Sequence, residues 1–427
     1  MTGLTAHDNF ERLVVGWLDE TAGAGAPDYL DETLARIDHV AQRPAWLSPG
    51  RWLPMRALTL RRIEVPRFVP YLVALVLLVL IGLALLVAAG SQRRLPPPFG
   101  PAATGSFAYD SGGDLYLTGT DGVVRRLTDT PDRREFGAVW SRHGTRIAFG
   151  AVESGSRSAS LWVTESDGSG TRRVSGDLEL EPTAALPLAS WSPDGRQLVI
   201  AADQRLYVVD ADGANLRELG DGSVLGAEPT WSPLGDLIAF VGHEGPTGED
   251  AVYVIDVGSG MTTRISQTRG GPTGLVPAWA PDGLRIAYHA GPTHADVFVA
   301  TLGEPGWIER PIVTGSTIDS WPTWSNDGRR LSFVRSTVTD HGRIVVVNAD
   351  GSGESVLASG TIGWSPHCWT PDDRSIIAVG AEENVSIGDE DAPGYVILSV
   401  DGTRAPVFIA TPARQAFAAC SWERLAP

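Results

Sequence analysis

The sequence predicts an all-β fold, a seven-bladed β-propeller, preceded by one transmembrane helix and a short helical N-terminal segment. Three observations carry that reading. A Trp followed by a tight turn recurs six times, at Trp140, Trp191, Trp231, Trp279, Trp324 and Trp369, at intervals of 51, 40, 48, 45 and 45 residues. Each copy is followed by short alternating apolar runs separated by Gly, Asp and Asn turns, the pattern of antiparallel hairpins. Upstream of the array, Phe68 to Ala89 is a run of 22 residues without a charge.

Taken in chain order, residues 1–67 predict two short amphipathic helices. Phe10, Leu13, Val14, Trp17 and Leu18 recur at helical spacing behind Asp8, a capping residue. Leu30, Leu34, Ile37 and Ala41 repeat the stripe behind Pro27 and Asp28. The run 68–89 spans roughly 33 Å as a helix, enough for a hydrocarbon core of about 30 Å. It begins too far into the chain, and is too long, for a cleaved signal. Arg51, Arg56, Arg61, Arg62 and Arg67 precede it, whereas only Arg93 and Arg94 follow closely. That excess predicts a cytoplasmic N-terminus and an extracytoplasmic C-terminal domain at the cell membrane. Residues 90–105 form a linker stiffened by Pro96, Pro97 and Pro98.

From residue 106 to 427 the repeats give four strands every 40–50 residues, the size of a propeller blade. Residues 107–130 read as the last three strands of a blade, and residues 416–427, which include Cys420, Ser421 and Trp422, read as the missing first strand. The two ends of the array thus complete a seventh blade and close the ring; six blades are the alternative. The repeat, seen most fully in Trp191-Ser192-Pro193-Asp194-Gly195 with its following strand Gln197 to Ala202, resembles the WD-like repeat of TolB-type propellers. Propeller domains of prolyl oligopeptidases share it. The resemblance implies the fold over about three quarters of the chain and leaves the activity open, because such propellers serve many partners.

Residues that recur in every blade are expected to serve the blade. One Trp per blade suits inter-blade packing, and Asp194, Asp282 and Asp327 suit turn formation. Asp210-Ala211-Asp212-Gly213 has too few acidic positions for a calcium loop. No Gly-x-Ser-x-Gly elbow, phosphate loop or zinc-spaced Cys pair occurs, and no cofactor is expected. The net charge of −17, with no Lys at all, argues against nucleic acid as a partner. His289, His294 and Asp296 flank a Gly-Pro turn and read as surface loop residues rather than metal ligands.

Residues that break the repeat are free to be specific. These are His243, Glu244, Glu249 and Asp250 in one loop, Asp389, Glu390 and Asp391 in another, and the insert from Gly176 to Leu188. They predict a binding face for a protein, peptide or glycan, with a cationic or metal-bridged contact favoured. Cys368 and Cys420 lie one and two residues before a repeat Trp. That offset puts them on opposite faces of ideal strands, which favours two buried thiols over a disulfide between them. The leading functional reading is a membrane-anchored, non-enzymatic binding module. The alternatives are a transmembrane sensor whose N-terminal segment contacts a cytoplasmic regulator such as a sigma factor, and a propeller lyase or glycosidase.

Overall fold

In a computed structural model of the chain, the described residues are 101–119, 121–181, 189–245, 248–267, 275–291, 294–337, 342–362, 367–380, 394–411 and 421–425. The chain divides into two units, Met1–Ala89 and Gly90–Pro427, and all described residues belong to the second. The apolar run 68–89 and the two helices expected in residues 1–67 lie outside the described residues. Among the described residues, no helix is long and apolar enough to cross a membrane.

Seven four-stranded antiparallel sheets follow one another in sequence, one per blade. The repeat Trp ends the innermost strand of blades 2 to 7: Arg133–Trp140, Ala189–Trp191, Val224–Trp231, Ala278–Trp279, Ile318–Trp324 and His367–Trp369. The fourth strand of each blade is outermost; in blade 1 it is Val124–Arg126, whose residues are all exposed. Blade 1 takes its innermost strand, Ser421–Leu425, from the C-terminus and pairs it antiparallel with Ala103–Ser111, with Phe107 opposite Trp422. The ring is therefore closed by joining the two ends of the array in one sheet, and the blade number is seven.

The apolar core is distributed between blades instead of being central. Seven clusters of buried residues occur, one at each interface between consecutive blades. Alternation along a strand explains this, because both faces of each sheet are covered. On the second strand of blade 2, Ile147 and Phe149 pack towards blade 1 while Ala148 packs towards blade 3. The same alternation governs the innermost strands. Ala138 and Trp140 face blade 1, whereas Val139 between them packs against the cluster shared with blade 3.

The turn after each Trp is held as the Pro-Asp-Gly pattern predicts. The Asp194 carboxylate accepts from the Arg196 N–H at 3.0 Å, Asp282 from Leu284 at 2.9 Å, and Asp327 from Arg329 at 3.0 Å. Gly195 closes its turn at φ 66°, in the left-handed region. Blade 7 has Asp373 there instead, at φ 59°. Its carboxylate accepts from the Asn326 N–H, the Asn326 Nδ2 and the Asp327 N–H of blade 6, at 2.6, 2.8 and 2.8 Å. An inter-blade clamp thus offsets the strain of a non-Gly residue.

Cys368 is disulfide-bonded, which corrects the expectation of a thiol at that position. Cys420, the only other cysteine in the sequence, lies outside the described residues. The expectation failed because it treated the two strands as parts of one flat sheet. Neighbouring blades face each other, so opposite orientations are what a bridge between them requires. Side chains one residue before a repeat Trp point to the following blade: Ser190 Oγ accepts from the Trp231 N–H at 3.0 Å, and Ser421 Oγ from the Trp140 N–H at 2.8 Å. Cys368 holds that position and packs against the cluster containing Trp422. Side chains two residues before a repeat Trp point backwards, as His367 does, with Nε2 2.9 Å from Ser332 Oγ of blade 6.

Candidate functional site

The repeat Trp residues are occupied by the blade interfaces. All seven, Trp422 included, are at most 9 % exposed. The indole N–H of Trp191 donates to the carbonyl of Val139 at 3.0 Å, Trp279 to Thr230 at 3.0 Å, Trp324 to Ala278 at 3.1 Å and Trp369 to Thr323 at 3.3 Å. Each acceptor is the residue just before the Trp of the preceding blade. Arg285 and Arg330 add guanidinium stacking on Trp324 and Trp369 of the next blade, at 4.5 and 4.8 Å.

The topology sorts the loops onto two ends of the ring. Turns after the repeat Trp, and those between third and outermost strands, leave at one end. Loops between second and third strands, and connections between blades, leave at the other. The second class contains the 245–250 loop, the 381–393 loop and the 174–188 connection, so all three breaks in the repeat join strands at the same end. Residues 381–393, including Asp389, Glu390 and Asp391, and residues 182–188 lie outside the described residues.

His243, expected in the first of these loops, lies instead on the strand Leu237–Glu244, opposite Leu225; its Nδ1 is 3.1 Å from the Asp250 carboxylate at the end of the loop. Glu244 ends the second strand of blade 4, and Glu249 precedes Asp250 in the loop. Among the described residues no group of three or more His, Cys, Asp or Glu is arranged to hold a metal ion. His289, His294 and Asp296 do not converge either. His289 is fully buried, with Nδ1 facing the Trp321 N–H at 3.4 Å, while His294 is exposed and Asp296 accepts from the Gly315 N–H. The surface-loop reading of His289 is thereby corrected: it sits on the strand Arg285–Ala290, paired opposite Val297.

Sequence reasoning missed Glu228. It stands three residues before Trp231, where the innermost strand carries a register shift between Ala227 and Thr230. Its φ is 54°; Gly137 holds the equivalent place in blade 2 at φ 66°. Burial, reinforced by the nearby Asp250 carboxylate, pushes the Glu228 carboxyl up to about 7, and its Oε2 has no hydrogen-bond partner. The signal available in the sequence was a non-Gly residue at a bulge position, visible only once the bulge is known. Glu228 lies near Asp250, which in turn lies beside His243, so the three gather into an acidic site that can meet a cationic group.

Comparison with known proteins agrees with this architecture. Residues 201–399 match the model of the TolB beta propeller domain. A TolB homolog of Chlorobium chlorochromatii is 31% identical over 144 residues, covering 33% of this chain and 31% of that protein. The Tol-Pal system protein TolB of Cereibacter sphaeroides is 40% identical over 70 residues, covering 16% of this chain and 15% of that protein. The chain thus spans about a third or less of the length of the curated relatives it matches. Among solved structures, oligogalacturonate lyase from Vibrio parahaemolyticus superposes with a TM-score of 0.52 at 13% identity, over 73% of this chain and 86% of that one. Prolyl oligopeptidase B from Galerina marginata gives 0.53 at 10% identity, over 73% and 51%. These two show the fold alone, and over residues 201–399 this propeller is similar to the TolB beta propeller domain.

Proposed function

We propose that this protein is a membrane-anchored, extracytoplasmic interaction module that binds a protein, peptide or glycan without catalysing a reaction on it. The apolar run 68–89 and its Arg-rich N-terminal flank support the anchor and its orientation. The observation that carries the binding face is the division of labour in the ring. Repeated positions are used in blade-to-blade bonds, and the segments that break the repeat all leave from one end. The similarity to TolB proteins, one of them a component of the Tol-Pal system, supports a protein partner in particular. Acidic side chains dominate the described part of that end, so the partner presents a cationic surface.

The test is photo-crosslinking in cells, with a crosslinker placed at position 249 or, as the control, at position 194 on the opposite end. The proposal expects a discrete adduct from position 249 that disappears when residues 245–250 are replaced by a short Gly-containing turn. Adducts from position 194 alone would place recognition on the other end and sink the proposal.

A further inference from the structure

The connectivity of a blade fixes which end of the ring each exposed residue occupies. Innermost and third strands run towards the end that carries the turns after the repeat Trp; second and outermost strands run away from it. Among the described residues ten large hydrophobic side chains are exposed, and every one lies at this turn end. Leu234 and Leu284 sit in the turns after Trp231 and Trp279, and Val123 and Met261 in turns between third and outermost strands. The others fall in the last two residues of an innermost or third strand, as Leu425 and Leu302 do, or in the first three of an outermost one. The described residues of the opposite end, where the acidic loops leave, expose none.

An exposed apolar side chain is ordinary where it stands alone. Here the asymmetry between the two ends is the signal, and on blades 4 and 5 the side chains join. Leu234 lies against the neighbouring turn, where a Cβ at Gly283 would come within 2.6 Å of it, and the Leu302 N–H donates to the Leu284 carbonyl at 2.8 Å. Leu234, Leu284 and Leu302 are 59, 44 and 40 % exposed. Charges are interleaved with them in opposite pairs. Asp282 lies 2.7 Å from Arg285. Arg196 and Arg374, with side chains 85 and 75 % exposed, stand 3.9 and 4.0 Å from Asp194 and Asp372. Apolar side chains set among loosely paired carboxylates and guanidinium groups match a layer of zwitterionic lipid headgroups. Such a layer offers phosphate to Arg, ammonium to Asp and an apolar boundary beneath.

The chain also enters the ring at this end. Ala102 is buried, and its N–H donates at 2.8 Å to the Pro371 carbonyl in the turn after Trp369. Ala103 pairs with the exposed Leu425. Only 13 residues, among them Pro96, Pro97 and Pro98, separate Ala103 from the apolar run that ends at Ala89. A short tether fixed at that point holds the turn end nearest the bilayer. We propose that the turn end is a membrane-facing surface, resting on the zwitterionic headgroups of the bilayer in which the chain is anchored, with the acidic end turned away towards the partner. This orientation rests on the anchored reading proposed above and adds which face meets lipid.

The full chain, with a fluorescent amino acid at position 261 or, for comparison, at position 249, is reconstituted into phosphatidylcholine vesicles in which part of the lipid carries a nitroxide on its headgroup. Flotation shows whether the chain stays with the vesicles. The label at 261 loses fluorescence to the nitroxide and the label at 249 does not. Leu234→Asp combined with Leu284→Asp, both at exposed sites, leaves the melting temperature unchanged and removes the quenching at 261. Phosphatidylglycerol in place of phosphatidylcholine weakens that quenching, because the chain carries a net charge of −17. On vesicles that carry the chain, equal quenching at the two positions, none at either, or more at 249 overturns the orientation and leaves the anchor standing. Quenching at 261 that survives the double variant, or is unchanged or stronger with phosphatidylglycerol, overturns it too. A chain that does not float with the vesicles overturns the anchored reading and the orientation together.

Discussion

The indole-to-carbonyl bonds between blades can be tested as a series, because they are present at some interfaces and absent at others. Trp191 is 4 % exposed and donates to Val139 O at 3.0 Å; Trp422 is 6 % exposed and its Nε1 has no partner among the described residues. Trp→Phe removes nearly the same volume at both sites and also removes the N–H. At Trp422 the loss is packing alone. At Trp191 the Val139 carbonyl is left buried and unsatisfied, which costs about 1–3 kcal/mol more. Trp140, 5 % exposed with an unpartnered Nε1, is a second control. For an array of roughly 320 residues, unfolding entropy of ~2.1 cal/mol/K per residue makes 1 kcal/mol about 1.5 °C. Trp191→Phe is therefore expected to melt about 2–4 °C below Trp422→Phe and Trp140→Phe by differential scanning calorimetry. Equal losses at all three positions would refute the claim that the bond, beyond the apolar ring, ties one blade to the next.

Deleting residues 421–427 removes the innermost strand of blade 1 and leaves Ala103–Ser111 with an open edge beside Phe107; the truncated chain should aggregate or melt well below the parent, and an unchanged melting temperature would show that the C-terminus does not close the ring. Intact mass after alkylation of the denatured, unreduced protein should show no modified thiol, whereas two modified thiols would exclude the bridge. Closing the 53 residues from Cys368 to Cys420 is worth about 4 kcal/mol on chain entropy, so Cys368→Ser should lower stability by that order. Asp373→Gly relieves a φ of 59° but removes three hydrogen bonds into blade 6; the bonds outweigh the relief, and a net loss of about 1–3 kcal/mol is expected, with any gain in stability contradicting the clamp. Burial raises the folded pKa of Asp110 from 3.8 to about 7. Its stabilising effect is thus full below about pH 4 and is lost as pH rises to about 7, at ~1.4 kcal/mol per pH unit. Glu228 acts in the same direction, and His367, lowered to about 4 by burial, acts against both. Measured as a difference, the parent should lose stability relative to Asp110→Asn between pH 5 and 7; a constant difference across that window would contradict it.

The sequence by itself determined the blade. A Trp, a turn and period-2 alternation are local signals, each written in contiguous residues, and they repeat often enough to count. Closure was legible too, because residues 107–130 and the segment at Trp422 are complementary fragments of one unit. What sequence could not supply was the relation between faces of adjacent blades. Cys368 and Cys420 look mismatched on a flat strand, yet Cys368 faces the next blade and is disulfide-bonded. His289 looked like a loop residue, yet the strand Arg285–Ala290 carries it into the interior. Glu228 had no signal until a register shift placed it at a left-handed position. Arg142, Asn326 and Arg424 lie 98 to 282 residues apart in sequence and carry no shared local signal. Only the circular arrangement, which sets blades 1 and 2 side by side with blade 6 within reach across the channel, brings them to one cavity. Local periodicity specifies each unit, while a site made of one residue from each of several units exists only after the ring has closed.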